Sequence, residues 1–323
     1  MGNVCFSSSS SATAHQRKKN NSLATESQKA KMKDLMEKAP VDEIDSKFRL
    51  FKQFDSVQDY SDHHFRNNKF VQESKLQQRW IRKIRNEWTL LEKHLPEMIY
   101  VRIYEDRMDL LRAVIVGPAG TPYHNGLFFF DFHFPEGYPN SPPLVYHHSH
   151  GLGLNPNLYA NGVVCVSLLN TWVGSISERW NPVMSTMLQV LVSIQGLILN
   201  ERPYFNEPLL SYFSTTRLAN IPSRSYNADI FLLSCKKMLY NLRKPPKHLE
   251  DFVAGHFRTQ GRTILRTCKA YMAGVPVGTV VTDSMQLDTS RIKSSKFSSE
   301  LKLLFVNLLE AFCAVGAECN EFL

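Results

Sequence analysis

The chain has 323 residues, of which 43% are hydrophobic and 21% charged, and its formal net charge is +8 at pH 7. This length suits one large domain or one domain with extensions, and the apolar content is enough for a packed core. Six scattered cysteines without metal-type spacing predict reduced thiols in a cytoplasmic or nuclear protein. We find no secretory signal, no apolar run of about 18 residues and no basic stripe with interleaved aromatics, so neither a membrane span nor a nucleic-acid partner is expected.

Residues 1–73 have the composition of a disordered, basic extension. A serine run from Ser7 to Ser11 is followed by the basic cluster Arg17–Lys19, and polar sequence of this kind buries too little apolar surface to offset the entropy lost on ordering. Residues 46–66 are the exception because they are rich in aromatic side chains. Two interpretations of that segment stay open: a stretch that docks on the folded domain or on a partner, and a partly helical linker.

An amphipathic helix and four strands are predicted after residue 74. Apolar side chains recur at steps of three and four until Pro96 ends the pattern, which is typical of one helix face. They are Trp80, Ile84, Trp88, Leu91 and Leu95. Shorter apolar or alternating stretches then predict strands at 99–103, 110–116, 128–134 and 144–148. This order predicts an α+β fold with a four-stranded antiparallel meander behind an N-terminal helix.

Helices predominate in the rest of the chain. An apolar stripe predicts a helix that begins near Pro182, since proline is tolerated in a first helical turn, and that ends before Pro203. Further helices are predicted between residues 226 and 273, with a break at Pro245–Pro246, and a final one at 297–313. The resulting divisions are an extension (1–73), a main domain (74–273) and a linker with a tail helix (274–323).

Cys165 is the strongest candidate for a catalytic side chain. The segment Asn155–Pro156–Asn157 predicts a compact turn, Gly162 follows it, and two β-branched residues then lead to the thiol. A thiol that ordered backbone presents beside an asparagine amide suits acyl exchange on sulfur. The alternative is a buried structural cysteine, which is the usual role of a lone cysteine.

Several motifs around this cysteine occur together. They are Tyr123 to Pro143, Asn155–Pro156–Asn157, Gly162, Cys165 and Trp180–Asn181–Pro182. In their order and spacing, from the first predicted helix to Pro208, the chain resembles ubiquitin-conjugating enzymes. The segment Glu201–Pro208 and the helical tail most resemble a subgroup that contains large hybrids with conjugating and ligase activity and plant enzymes of phosphate homeostasis.

The resemblance implies the fold and the reaction. The fold would be the UBC fold, with an N-terminal helix, a four-stranded meander, an active-site loop and C-terminal helices. An activating enzyme, which itself consumes ATP, would pass ubiquitin as a thioester to Cys165, and a substrate lysine would then attack, usually with the help of a ligase. No cofactor or metal ion is implied. A thiol suits this role because a thiolate is both a good nucleophile and a good leaving group.

The resemblance also assigns roles to residues near Cys165. Asn157 matches the family's active-site asparagine, which either stabilises the developing oxyanion or orders the neighbouring loop. Glu207 falls where the family has an acidic residue near the incoming lysine, and the alternative is a solvated loop charge. Further residues expected at the same gate are Asn155, Tyr204 and Asn206.

Two partner-binding surfaces are implied as well. The basic face of the first helix would contact the activating enzyme through Arg79, Arg82, Lys83 and Arg85. Pro182 and Asn140 match the two loops that contact ligases. Asn140 departs from the family, which carries an aromatic or apolar residue there, so this loop lacks the apolar anchor of a RING-type interface.

Two further departures concern the active-site loops. Asn155 stands where the family usually has a histidine, and the subgroup shares this change, so we expect asparagine to make similar turn hydrogen bonds. The loop Thr171–Arg179 is longer than in minimal members. It either shapes the approach of lysine or the chain linkage, or it is a tolerated surface insertion.

Other clusters of chemically active side chains have simpler interpretations. His147, His148 and His150 lie too close together in sequence for all three to bind one metal ion, and a polar loop beside the active site is favoured. Cys235 and Cys268 lie among apolar helical neighbours and are predicted to be core thiols.

The N-terminus suggests attachment to a membrane surface. Its first residues resemble the start of plant proteins that are myristoylated on Gly2 and palmitoylated on Cys5, although Phe6 replaces the usual serine or threonine. Because one myristoyl chain binds membranes only weakly, Cys5 or the basic cluster Arg17–Lys19 would supply the second signal. The alternative is an unmodified tail on a cytoplasmic or nuclear protein.

Two other functions are compatible with the motifs. One is a non-catalytic ubiquitin-binding adaptor, but the presence of Cys165, Asn157 and Gly162 argues against it. The other is conjugation of a ubiquitin-like modifier, because the first helix does not identify the activating enzyme.

Overall fold

The protein contains a five-stranded sheet whose strands are neighbours in chain order. The computed structural model describes residues 25–38, 41–69, 75–216, 220–285 and 295–323. The strands are β1 (Phe54–Val57), β2 (Ile99–Tyr104), β3 (Leu110–Val116), β4 (Leu127–His133) and β5 (Leu144–His147). β1 runs parallel to β2, and all later neighbours are antiparallel. The predicted α+β meander is therefore confirmed, with strand limits within one residue, and β1 is a strand that the sequence did not predict.

Helices cover both faces of this sheet. Within the described ranges they are α1 (Glu26–Lys38), α2 (Val41–Arg49), α3 (Lys75–His94), α4 (Met187–Ser193), α5 (Asn220–Arg243), α6 (Glu250–Met272) and α7 (Lys296–Ala314), with the four-residue helix Pro208–Ser211 and short turns between them. None of these helices is both long and apolar enough to cross a membrane.

One face of the sheet packs on α3 and α4. The predicted stripe of α3 is buried there, with Trp80 and Ile84 in the same apolar cluster as Phe128 and Phe130 of β4. These phenylalanines share a face because successive strand side chains point to opposite sides. The same cluster includes Val164, so the residue before Cys165 is anchored in the core.

Glu87 connects α3 to the beginning of α4. Its buried carboxylate accepts hydrogen bonds from the Tyr138 hydroxyl (2.7 Å) and the Met187 N–H (2.9 Å), and it pairs with Lys83 Nζ at 2.8 Å. A buried carboxylate is tolerated when its oxygens are satisfied in this way.

The helix expected from Pro182 begins later, at Met187. The Thr186 hydroxyl accepts a hydrogen bond from the Gln189 N–H, and the Gln189 side chain accepts one from the Thr186 N–H. This reciprocal cap sets the start of α4 and leaves the residues before it as a turn. A π-helical turn, Ile194–Ile198, continues α4.

The other face of the sheet packs on α5 and α6, and α7 packs on these two helices and on α1. The predicted helices between residues 226 and 273 and at 297–313 are confirmed, and Pro245–Pro246 lies in the break between α5 and α6. The last helix is part of the core, since Phe305 and Leu308 of α7 are fully buried in one cluster with Phe129 of β4.

Part of the N-terminal extension is also folded. The expectation of disorder up to residue 73 does not hold for residues 25–38 and 41–69, which form α1, α2 and β1, while residues 1–24 lie outside the described residues. Of the two interpretations of residues 46–66, docking on the folded domain is the one observed. Phe48 and Phe51 pack against Phe252 of α6, with ring centroids 5.7 and 5.1 Å apart.

Candidate active site

Cys165 follows a tight, hydrogen-bonded turn. Its N–H donates to the carbonyl of Asn157 (2.9 Å), and the side-chain amide of Asn157 donates to the carbonyl of Cys165 (2.8 Å). The two residues therefore hold each other, and Cys165 keeps only 8% of its surface exposed. In this geometry the amide of Asn157 orders the loop, which is one of the two roles expected for it.

Tyr159 is a site residue that the sequence analysis missed. Burial raises the pKa of the Cys165 thiol, and the neighbouring hydroxyl of Tyr159 opposes part of this rise as a hydrogen-bond donor. Tyr159 is 45% exposed. An exposed aromatic inside an otherwise polar turn was the available signal in the sequence.

Asn155 closes the turn from the opposite side. Its side-chain carbonyl oxygen accepts hydrogen bonds from the backbone N–H groups of Asn157 (2.8 Å) and Leu158 (3.0 Å). Its amide donates to the Tyr123 hydroxyl (2.8 Å) and to the carbonyl of Ile198 (3.1 Å). The asparagine therefore makes the turn hydrogen bonds expected of it and ties the turn to the β3–β4 connection and to the π-helical turn.

The half-buried Glu207 lies on the same side of the molecule as the thiol. Burial, the Cys165 thiolate and the carboxylate of Glu207 all raise the pKa of Tyr159, and burial together with Glu207 raises the pKa of Tyr226 to about 12. The carboxylate of Glu207 is therefore close enough to both tyrosines for its charge to act on them.

Tyr204 and Asn206 belong to the 3-10 turn Pro203–Asn206, which directly precedes Glu207. Tyr204 packs edge-on against Tyr226, with ring centroids 5.6 Å apart. The Asn206 side chain accepts from Asn200 Nδ2 (2.6 Å) and donates to the carbonyl of Ile198 (3.3 Å). Asn206 therefore fixes the 3-10 turn that presents Glu207.

Comparison with known proteins identifies the family of this chain. Residues 83–227 match the family model described as "Ubiquitin-conjugating enzyme". The chain is 48% identical over 274 residues to the "Putative ubiquitin-conjugating enzyme E2 38" of Arabidopsis thaliana. The aligned region covers 84% of this chain and 83% of that protein. The chain belongs to the ubiquitin-conjugating enzyme family. Its family implies ubiquitin, an activating enzyme and ligases as partners.

Other relatives of this conjugating enzyme are much longer. It is 50% identical over 273 residues to the "Probable ubiquitin-conjugating enzyme E2 24" of Arabidopsis thaliana, of which it spans 30%. It is also 41% identical over 202 residues, 60% of its own length, to the human "Dual E2 ubiquitin-conjugating enzyme/E3 ubiquitin-protein ligase BIRC6", of which it spans 4%. Plant enzymes and a conjugating–ligase hybrid are thus both among its relatives, as the sequence motifs predicted.

The basic face of α3 separates into two kinds of residue. Arg79, Arg82 and Arg85 are exposed. Lys83 is partly buried and pairs with the buried Glu87 at 2.8 Å. Of the four residues expected to contact an activating enzyme, the three arginines are therefore exposed to solvent, whereas Lys83 is paired with Glu87.

The two expected ligase-binding loops lie next to each other. The indole N–H of Trp180 donates to the carbonyl of Pro139 (2.6 Å), which joins the loop of Asn140 to that of Pro182. Asn140 and Pro182 are both exposed. Val183, 83% exposed, directly follows Pro182.

The loop Thr171–Arg179 forms one wall of a groove beside the active site. The groove has a volume of about 910 Å³ and also contacts Val166, the neighbour of Cys165, and Leu197 of the π-helical turn. Ile176 at the tip of the loop is 91% exposed.

The histidines after β4 do not converge on one point. His147 is buried, His148 pairs with Asp131 at 2.9 Å, and His150 stacks on Tyr240. Among the residues that the structure describes, no three or more histidine, cysteine, aspartate or glutamate side chains are grouped to hold a metal ion. Cys235 and Cys268 are fully buried, which confirms them as core thiols. Gly2 and Cys5 lie outside the described residues.

Proposed function

We propose that this enzyme accepts ubiquitin as a thioester on the sulfur of Cys165 and passes it to substrate lysines. The observation that carries the proposal is the turn that presents Cys165, in which Asn157 and Cys165 are hydrogen-bonded to each other in both directions. Each transfer replaces one bond to the carboxyl-terminal carbonyl of ubiquitin. The Cys165 thiolate first displaces the thiol of the activating enzyme, and a lysine nitrogen then displaces the Cys165 thiolate.

The neighbouring residues support both steps. The hydroxyl of Tyr159 lowers the pKa of the thiol, and this favours the thiolate that attacks in the first step and leaves in the second. A lysine amine has a pKa near ~10.4 and must lose a proton before it attacks. In this proposal the carboxylate of Glu207 attracts the ammonium group and accepts that proton. Asn157 keeps the turn closed around the developing charge.

A charging assay tests this proposal. The full chain is incubated with ubiquitin, ubiquitin-activating enzyme and ATP, and the products are separated on a non-reducing gel. We expect a thiol-sensitive band heavier by one ubiquitin, which Cys165→Ser removes or converts to a thiol-resistant ester. Cys5→Ser, at the only cysteine outside the described ranges, is the matched control and should charge like the wild type. Charging by a ubiquitin-like modifier alone, or by neither, would reject the assignment and favour the other modifier or an adaptor.

We further propose that transfer does not depend on a RING-type ligase. Asn140 leaves one of the two ligase loops polar, and a relative carries both activities in its name. Preformed thioester mixed with free lysine, without a ligase, should therefore discharge within minutes. Discharge that appears only when a RING-type ligase is added would contradict this.

We also propose that the N-terminus attaches the enzyme to a membrane surface through acylation of Gly2 and Cys5, the protein otherwise lying in the cytoplasm or nucleus. The support is the sequence of residues 1–5 together with the basic cluster Arg17–Lys19. Gly2→Ala and Cys5→Ser should each move the protein from the membrane fraction to the soluble fraction of cells. Equal partitioning of Gly2→Ala and wild type would remove the idea.

A further inference from the structure

A segment of the N-terminal extension reaches the back of the active-site turn. Residues 54–69, which we name the strap, run from β1 across the face of the sheet opposite α3 and α4. The carboxylate of the buried Asp131 accepts from the backbone N–H of His64 (2.8 Å) and from the guanidinium of Arg112 (2.7 and 3.0 Å). Arg112 donates in turn to the Asp62 carboxylate at 2.8 Å. The strap is thus fixed to the sheet through buried charge-assisted hydrogen bonds.

The ring of His64 lies flat on the ring of Tyr146. The two ring centroids are 3.6 Å apart, and the planes differ by 2°. Tyr146 belongs to β5 and lies opposite Asp131 in the register of β4 and β5. The same carboxylate therefore holds the backbone of His64 next to the strand that carries Tyr146. Burial lowers the pKa of His64, so the stacked imidazole is neutral at pH 7.

The ring of Tyr146 packs against Gly162, which belongs to the active-site turn. A Cβ built at position 162 would lie 2.1 Å from Cε2 of Tyr146, and Gly162 has a φ of +89°, which favours glycine. The N–H of Gly162 donates to the carbonyl of Tyr159 (3.0 Å), and its carbonyl accepts from the N–H of His147 (2.8 Å). Gly162 is thus the point at which the sheet, the ring of Tyr146 and the turn of Tyr159 meet.

These contacts form one continuous path from the strap to the thiol. His64 fixes Tyr146, Tyr146 fixes Gly162, and Gly162 closes the turn in which Asn157 and Cys165 are hydrogen-bonded to each other. We infer that His64 is a positioning residue for transfer from Cys165, although it touches no reacting atom. A shift of about one ångström at the reacting centre costs up to ~10²-fold in rate. Loss of the stack should therefore lower the rate of transfer from Cys165.

The test compares three single variants of the full chain. His64→Ala removes the stacked ring, His64→Phe keeps a neutral ring at the same place, and Asn67→Ala changes an exposed side chain of the same strap. The first readout is hydrogen exchange of the backbone amides of residues 157–166. We expect faster exchange in His64→Ala, and wild-type exchange in His64→Phe and Asn67→Ala. Unchanged exchange in His64→Ala, or equal loosening in His64→Phe, would overturn the inference.

The second readout is kinetic and rests on the proposed function. Preformed thioester is discharged to lysine over a range of lysine concentrations in single turnovers. His64→Ala should lower the maximal rate about tenfold and leave the half-saturating lysine concentration unchanged, because Glu207 is not displaced. A changed half-saturating concentration with an unchanged maximal rate would refute a positioning role. If wild type forms no thioester, the proposed function fails by itself, and the exchange readout still decides whether the strap holds the turn.

Discussion

At the residue scale, two opposing effects act on the pKa of the Cys165 thiol. Burial disfavours the thiolate and raises the pKa of the thiol, whereas the hydroxyl of Tyr159 donates to the sulfur and favours the thiolate. A buried thiol is protected from side reactions, but it needs such a donor to act as a leaving group at neutral pH. Tyr159 is thus the neighbour that opposes the effect of burial on the pKa of the thiol.

Tyr159→Phe should raise the pKa of Cys165 further, because the donor is lost and the burial remains. The rate of alkylation by iodoacetamide, followed at Cys165 by mass spectrometry from pH 6 to 10, should show its midpoint at higher pH than in wild type. Tyr212→Phe is the matched control, since Tyr212 is 83% exposed. A midpoint that stays constant or falls in Tyr159→Phe would contradict this role.

At the element scale, the turn from Asn155 to Cys165 behaves as one hydrogen-bonded unit. Asn155 joins it to the β3–β4 connection and to the π-helical turn, Asn157 closes it on Cys165, and Gly162 lets Tyr146 approach its backbone. A change at either end therefore affects the position of the thiol.

Gly162→Ala should destabilise the protein and slow charging. A non-glycine residue held at positive φ costs about 1–3 kcal/mol, and the added methyl group overlaps the ring of Tyr146. Urea unfolding should show a lower free energy of unfolding than in wild type. In the double variant Gly162→Ala/Tyr146→Ala the overlap is relieved, so the loss should be smaller than the sum of the two single losses. Purely additive losses would show that Tyr146 does not press on this turn.

At the scale of the whole molecule, the sheet is stabilised from both sides and the last helix is part of its core. Phe305 of α7 is fully buried in the cluster that contains Phe129 of β4, whereas Leu303 on the same helix is 73% exposed. Phe305→Ala should lower the free energy of unfolding by about 3–5 kcal/mol. Leu303→Ala should change it by less than about 0.5 kcal/mol, and equal effects in urea unfolding would show that α7 is a peripheral tail.

Buried histidines make the whole fold sensitive to acid. Burial lowers the pKa values of His63, His124 and His256 to about 4 each. An unfolded histidine binds its proton near pH ~6.5, so below that pH the unfolded chain binds more protons than the folded one. Stability should therefore be complete above about pH 6.5 and fall between pH 6.5 and 4, by at most about 1.4 kcal/mol per pH unit for each histidine.

Thermal unfolding at pH 7.5, 6 and 5 measures this dependence. The midpoint temperature should decrease with each step, and His124→Gln should show a smaller decrease from pH 7.5 to 5 because one of the depressed histidines is gone. A midpoint that rises on acidification, or a variant with an unchanged pH dependence, would contradict the assignment.

The sequence by itself determined the features that depend on neighbouring residues along the chain. The stripe of Trp80 and Ile84 and the alternation of Phe128 and Phe130 determine a helix and a strand, because local periodicity decides which face is buried. The turn before Cys165 was predictable for a similar reason, since asparagine, proline and glycine restrict their own backbone. These local patterns were enough to identify the candidate nucleophile and the family.

Only the tertiary structure decided which distant segments meet. The sequence of residues 54–57 does not predict the parallel pairing with β2. The hydrogen-bonding partner of a strand depends on which other strand lies next to it in the fold. The same holds for Tyr159 on the thiol, for Lys83 turned inward to Glu87 and for His64 stacked on Tyr146. Each contact depends on burial and distance in three dimensions. Side chains with the same local pattern would be solvated surface groups in another fold.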